Sequence, residues 1–271
     1  PKYPTTEICE VAQMINVACK LSQAGVADYW EDADRWIRNY FAEGQCLRTD
    51  WMNKYLEQEI KETTHSNFHE PSDGAIERSL GAFGGWMTGN DFWEGRMGPF
   101  MHCCTATAGP ALYVIWNSIL REQGDSVRVN LLLNRTSPSL DLHSYIPYEG
   151  KVELKMKQTK SVSLRVPAWA DKQEVKCQVG GQTREFQWDG QYIDLGKVER
   201  GQTATVEFPI SVREVRTVLG DKEFQLWIKG NTVVDVEPTG KIFPIFERDH
   251  YRGPVRYRKV SRFAAQETID W

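Results

Sequence analysis

Met101-His102-Cys103-Cys104-Thr105-Ala106-Thr107-Ala108-Gly109-Pro110 sets two adjacent cysteines between a glycine-rich approach and the start of a helix. A disulfide between chain neighbours closes a small, strained ring, so the pair is better suited to a shared partner such as a metal ion. The unsatisfied amides of the following helix would also favour thiolate over thiol at that spot.

Downstream, Leu112, Ile115, Trp116, Ile119 and Leu120 recur at helical spacing and predict a helix ending near Gly124-Asp125. From Ser126 the period changes to two. Val127–Leu131, Val152–Met156 and Val162–Val166 alternate apolar and polar residues, and Glu174–Val179, Tyr192–Leu195, Thr203–Phe208 and Phe224–Ile228 continue the series. Short alternating runs divided by Gly, Asp and Pro turns predict an antiparallel β-sandwich.

Upstream, Val11, Met14, Ile15, Ala18 and Leu21 predict an amphipathic helix over about residues 7–21, with Thr5 or Thr6 as its cap. Glu7 and Cys9 then lie in its first turn. Residues two apart diverge on a regular helix, so this pair converges on one object only where the backbone is still turning. A second helix is expected over about 28–43, with Ala33, Trp36, Ile37, Tyr40 and Phe41 as its stripe, and a shorter one over about 51–61. Glu57, Glu59, Lys61 and Glu62 read as its solvated face.

Between Thr63 and Met101 glycines alternate with Phe83, Trp86, Phe92, Trp93 and Phe100. So long a loop is usually functional or disordered, and the aromatic residues argue for order. Two readings stay open, a ring-studded sugar site or a pair of short strands capping a barrel. Glu70, Asp73, Glu77, Asp91 and Glu94 each read as turn or surface carboxylates. Helices this few cannot enclose a core around such a loop. The helical part therefore reads as half of a larger unit, with the other half expected upstream of Pro1 or from another chain.

Composition narrows the classes further. The 271 residues are 41% hydrophobic with a formal net charge of -4, an ordinary globular balance with no bias toward phosphate backbones, so no nucleic-acid partner is expected. No run reaches the roughly 18 apolar residues of a membrane span, and no signal pattern is visible at the start. The six cysteines are scattered in a chain too long to need disulfide stapling, which suits reduced thiols or metal ligands. Cys19 and Cys46 are assigned to helices and Cys177 to a strand, all as packing thiols. The compartment and oligomeric state stay open.

Taken together, these motifs resemble glycoside hydrolase family 127, the bacterial β-L-arabinofuranosidases, with the DUF1680-like group. Thr6-Glu7-Ile8-Cys9 is similar to the family's Glu-x-Cys helix head, and Tyr29-Trp30-Glu31-Asp32-Ala33-Asp34-Arg35-Trp36 to the helix that follows it. Cys103-Cys104 resembles its cysteine pair, and Leu164-Arg165-Val166-Pro167-Ala168-Trp169 and Gly201–Pro209 resemble its β-sandwich strands. The resemblance implies a multidomain α + β chain: residues 1–125 as the C-terminal half of an (α/α)6 barrel of six-hairpin glycosidase type, and 126–271 as an antiparallel β-sandwich.

By the same resemblance a zinc ion is held by Glu7, Cys9, Cys103 and Cys104, and Cys103 is also the nucleophile of a retaining hydrolysis on a carbohydrate substrate. Three thiolates and a carboxylate suit tetrahedral zinc, which keeps a thiol deprotonated. A thiolate so held can attack an anomeric carbon, sulfur replacing the usual carboxylate. The family's acid/base glutamate would precede Pro1. The Thr105-Ala106-Thr107-Ala108 after the cysteines departs from the Pro-Pro-Asn of characterised members, so the sugar need not be arabinofuranose. His102 reads as a substrate contact or as a packed histidine behind the site. The alternative is a non-catalytic carbohydrate-binding or assembly protein with a structural zinc. A polysaccharide lyase would need a Tyr or His base that this chain does not supply.

Overall fold

The computed structural model describes residues 5–55, 74–95 and 98–254. It is a mixed α and β protein with three sheets, mostly antiparallel. Helix α1 spans Ile8–Gln23, and α2 spans Trp30–Trp36 and continues through a π-helical turn at Ile37–Phe41. A single turn, α3, spans Ala75–Arg78, and α4 spans His102–Ile119. The predicted third helix shows only residues 53–55 in helical form. Its remainder, with Glu57, Glu59, Lys61 and Glu62, lies outside the described residues, as do Glu70 and Asp73.

The strands are β1 (Leu120–Gln123), β2 (Ser126–Val129), β3 (Arg135–Thr136), β4 (Leu140–Ser144), β5 (Lys151–Met156), β6 (Lys160–Arg165) and β7 (Lys176–Val179). After them come β8 (Gln182–Thr183), β9 (Gln187–Asp189), β10 (Tyr192–Val198), β11 (Thr203–Glu207), β12 (Val212–Leu219), β13 (Lys222–Lys229) and β14 (Thr232–Glu237). One sheet has the order β1-β2-β6-β10-β9, another β3-β4-β5-β11-β7-β8, and a third β12-β13-β14. Among the described residues only β2 and β6 pair in parallel.

The alternation seen in the sequence explains how the first two sheets pack. Val127, Val129, Val162, Leu164, Ile193 and Leu195 are buried on one sheet, and Leu140, Leu142, Val152, Leu154, Ala204 and Val206 on the other. All belong to one apolar core. Each Val, Leu or Ile side chain among them contributes about 1.5–3 kcal/mol on burial, and a one-residue slip in register would turn the whole set toward solvent.

The helix after the cysteines stops earlier than its periodicity predicts. Leu120 adopts ψ 137° and begins β1, pairing with Val129. Gly124-Asp125, expected to end the helix, forms the β1–β2 hairpin turn, with Gly124 at φ 55°. A two-residue turn with positive φ matches the twist of the strands it joins.

Polar contacts fasten α2 to two sheets. Glu31 Oε2 accepts from Arg165 Nη1 and from the Ala168 amide, both at 3.0 Å, while Glu31 Oε1 accepts from Asn231 Nδ2 at 2.7 Å. Asn231 Nδ2 also donates to Asp34 Oδ2 at 3.0 Å, and Arg38 Nε donates to Asp34 Oδ1 at 2.7 Å. Burial of Glu31 would raise its pKa, but the donors from Ala168, Asn231 and Arg165 outweigh that and hold it below the usual carboxylate range.

Candidate metal centre

Helices α1 and α4 lie side by side and run parallel. Their starts meet at the cysteines, and Gln23 Nε2 donates to Ser118 Oγ at 3.0 Å toward their ends. The same residue interval separates Cys9 from Gln23 as Cys104 from Ser118, so the two helices stay in step along the contact. Ala12 and Ala18 on α1 and Ala108 and Ala111 on α4 are buried, and such small residues allow close approach.

At the shared end, one ligand atom each from Glu7, Cys9, Cys103 and Cys104 lies within 4.8 Å of every other. All four predicted metal ligands are thus brought together. Cys9 Sγ donates to Glu7 Oε2 at 3.0 Å, and the Cys103 and Cys104 sulfurs are 4.0 Å apart as free thiols. Tetrahedral zinc with bonds of about 2.0–2.3 Å separates its donors by roughly 3.3–3.8 Å, so the set fits with a contraction of at most about 1–1.5 Å.

The local backbone explains the convergence of Glu7 and Cys9. Glu7 is the N-cap of α1, with ψ 139°, so its side chain leaves the helical pattern and swings toward Cys9. The expected caps, Thr6 and Thr5, lie one and two positions too early, and Glu7 makes no side-chain cap bond, its carboxylate accepting from the thiol instead. Met101 is the corresponding N-cap of α4, with ψ 138°. Cys9 and Cys103 are therefore each the second residue of their helix.

The glycine-rich segment after Leu80 holds both helix mouths in place. Thr6 and Met87 form an antiparallel bridge, with Thr6 N donating to Met87 O at 3.0 Å, and Tyr40 Oη donates to the same carbonyl at 2.6 Å. On the other side, Phe83 N donates to Thr105 Oγ1 at 3.0 Å, and Gly84 bridges Phe100. Two glycines allow this fit: a Cβ on Gly85 would come within 2.7 Å of Met101, and one on Gly44 within 2.3 Å of Ile8, the first residue of α1. Met87 and Gly44 were not singled out by sequence reasoning, and Gly85 and Thr105 were read only as members of their stretches, with no such contact assigned. Only their long-range pairing reveals them.

Three of this segment's five rings are taken up by packing, while Trp86 and Phe100 are half-buried. Phe83, Phe92 and Trp93 are buried, and Phe92 and Trp93 cluster with Trp51 and Phe243. Single bridges appear in place of the expected short strands. Asp91, read as a turn or surface carboxylate, is buried and accepts from the backbone amides of Ile242 at 2.7 Å and Phe243 at 2.8 Å. Cys46 is buried as expected but lies in extended chain after the Gln45–Phe83 bridge, not on a helix, while Cys19 and Cys177 are buried on α1 and β7. His102 is exposed on the first turn of α4.

The three thiols of the cluster differ in environment. Cys104 is fully buried, Cys9 half-buried and Cys103 exposed. Burial pushes the Cys9 thiol far up, and its bonds with Glu7 and Cys104 push in the same direction. Burial raises Cys104 as well. In the protein alone both would keep their protons at neutral pH, Cys9 donating its proton to a carboxylate. A divalent cation among the four donors reverses that balance, since it stabilises thiolate directly.

No protein-family model and no curated protein matches the sequence. Among solved structures, the chain is similar to a GH127 β-arabinofuranosidase at 17% identity, covering 76% of this chain and 32% of that one, with TM-score 0.49. It is also similar to a GH127 β-L-arabinofuranosidase from Geobacillus stearothermophilus T6, at 13% identity over 86% of this chain and 47% of that one, TM-score 0.44. A third, described as a glycoside hydrolase, has 14% identity over 76% of this chain and 33% of its own, TM-score 0.42. The chain spans about a third to a half of the length of these structures.

Proposed function

We propose that this chain carries the nucleophile and metal ligands of a GH127-like retaining glycoside hydrolase. In this reading residues 1–125 are the last part of an (α/α)6 barrel and 126–271 the β-sandwich that follows it. The observation that carries the proposal is the convergence of Glu7, Cys9, Cys103 and Cys104 from two distant parts of the chain. The motif resemblance supplies the substrate class, a glycan, with β-L-arabinofuranosides as the first to test.

The four residues would hold zinc, which when bound keeps their sulfurs ionised. Cys103 is the exposed thiol of the three, and so the one a sugar can reach. Its thiolate attacks the anomeric carbon, forming a C–S bond as the C–O bond to the leaving group breaks. A proton donor neutralises the departing oxygen, and this reading assigns that role to no residue of the chain. Water then cleaves the C–S bond with a second inversion, giving overall retention. Cys9 and Cys104, behind it, hold position rather than react.

The test is Cys103→Ala in the complete gene product, assayed on aryl β-L-arabinofuranosides and plant-cell-wall oligosaccharides. Turnover should fall at least 10³-fold while the melting temperature stays within a few degrees of the metal-free parent's, because the side chain is exposed and its loss removes a zinc ligand but no packing. Undiminished turnover would remove Cys103 from the chemistry. The second reading, a structural zinc in a glycan-binding protein, is favoured by the fact that all four donors come from the protein, which leaves no open position. Glycan binding without hydrolysis by the complete product would establish it.

A further inference from the structure

The β1-β2-β6-β10-β9 sheet turns one face away from the core, and its register lays out a polar row across all five strands. Arg121 pairs with Arg128, Arg128 with Ser163, Ser163 with Asp194 and Asp194 with Gln187. The buried residues flanking them, Val127, Val129, Leu164, Ile193 and Leu195, fix this face outward. A short serine stands in the middle of the row, and Ser126 pairs with Ser161 in the neighbouring one, so longer side chains rise on either side of a hydroxyl floor. The result is a cavity of about 440 Å³, next to a second of about 630 Å³ that reaches the loop between α1 and α2; Arg121, Arg128, Asp189 and Tyr192 line both.

The two arginines are directly opposed on neighbouring strands, and like charges so placed are destabilising. Neither forms a salt bridge among the described residues. Both are nevertheless held. Arg121 Nη1 donates to Gln23 O at 3.0 Å, and the Arg128 guanidinium lies 3.7 Å over the Tyr192 ring, whose hydroxyl is fixed by Asn130 at 2.8 Å. A carboxylate reaching the pair would offset the repulsion and accept from two planar donors. On the other rim, Asp189 and Asp194 are exposed acceptors suited to sugar hydroxyls.

We propose that this trough is a second glycan-binding site, separate from the metal centre, which takes an acidic oligosaccharide with its uronate carboxylate at Arg121 and Arg128 and its hydroxyls along Ser163 toward Asp194. The choice of a saccharide rests on the glycan-active reading above; the choice of an anionic one rests on the arginine pair alone.

The probe is trigalacturonate, titrated into the intact protein by calorimetry and by amide chemical shifts, beside an uncharged trisaccharide and sodium sulfate. Saturable binding of trigalacturonate is expected, at least 10-fold tighter than the uncharged sugar, and weakened at least 10-fold in Arg121→Ala and in Arg128→Ala. Both side chains are exposed, so the variants should keep the parent melting temperature. If Arg128→Ala loses stability, Arg128→Lys serves in its place, keeping the charge and losing the fork, with the same weakening expected. Absence of saturable binding, or binding unmoved by the arginine variants, would overturn the proposal. Sulfate competing at equal concentration would mean an adventitious ion only and would overturn it too. The readout is independent of turnover. Cys103→Ala should bind as the parent does, so a failed metal centre with an intact trough, or the reverse, separates the two claims.

Discussion

Replacing Glu31 tests whether polar contacts, and not apolar packing alone, lock the second helix to the sheets. Its carboxylate receives three donors, at 2.7 to 3.0 Å, from Arg165, Ala168 and Asn231, which come from two separate parts of the chain, the end of β6 with the loop after it and the β13–β14 turn. The side chains of Glu31 and Arg165 are 18% and 6% exposed. Removing one partner of a buried pair costs about 3–5 kcal/mol, because the other charge stays buried. Asp28, 3.5 Å from Arg165, offsets part of that, which sets the expectation for Glu31→Ala at about 3 kcal/mol. Glu31→Gln keeps the shape but turns an amide donor toward donors, and about 2 kcal/mol is expected. The pH dependence follows from the depressed pKa of Glu31. A carboxylate held below its ordinary value of about 4.3 contributes stability above that pH and loses it as pH falls through the folded-state value. Glu31→Gln has no such group, so its deficit should be largest at pH 7 and shrink below about pH 4. Urea unfolding of parent and variants at both pH values measures this. A deficit under about 1 kcal/mol at pH 7, or one equally large in acid, would refute the reasoning.

Cys9→Ala and Cys104→Ala should each reduce bound zinc from one ion per chain toward none, measured by elemental analysis after exhaustive dialysis, whereas Cys9→Ser should retain part of it. Chelation of the parent should lower its melting temperature, and a chelator-indifferent melt would argue against a metal at this place. Gly44→Ala puts a methyl group against Ile8 at 2.3 Å, so it should cost about 1–3 kcal/mol and weaken zinc binding by disturbing the mouth of α1. Asp91→Ala leaves the amides of Ile242 and Phe243 unpaired. At about 1.5–3 kcal/mol for each bond to a charged group, residues 238–246 should become sensitive to protease before the rest of the chain unfolds.

The parts legible in the sequence are those with a local period. The stripe of α1, the alternation in β5, β6 and β11, and the Glu-x-Cys and Cys-Cys pairs could all be read because a few neighbouring residues carry each signal. Leu120 shows where this fails. It continues the helical spacing of Ile115 and Ile119, yet pairing with Val129 across Gly124-Asp125 draws it into β1. Strand β12 was missed for a different reason. Its residues are mostly exposed, so burial never imposed an alternation on them. Thr105, Met87 and Gly44 act through partners far along the chain, and nothing in their neighbours announces that role. Asp91 was misread because its partners, the amides of residues 241–243, have no side-chain signature at all.

The arrangement of the two long helices bears directly on what the cysteine cluster can bind. Parallel neighbours place like ends together, each N-terminus carrying about half a positive charge. That juxtaposition is unfavourable unless something negative lies between, and Glu7, Cys9, Cys103 and Cys104 are the groups that occupy the place. While the thiols of Cys9 and Cys104 keep their protons, the negative charge at the two helix ends comes from Glu7 and from the exposed Glu10 in the first turn of α1. Ionising the sulfurs answers the helix dipoles but sets anions within 4.8 Å of one another in a partly buried pocket, which is costly unless a cation joins them. The same packing that gathers the donors sets two helix N-termini beside them, and a metal ion bound there would complete the charge balance. Cys103 lies at the same helix end with its side chain exposed, so it is the sulfur approachable from the solvent side.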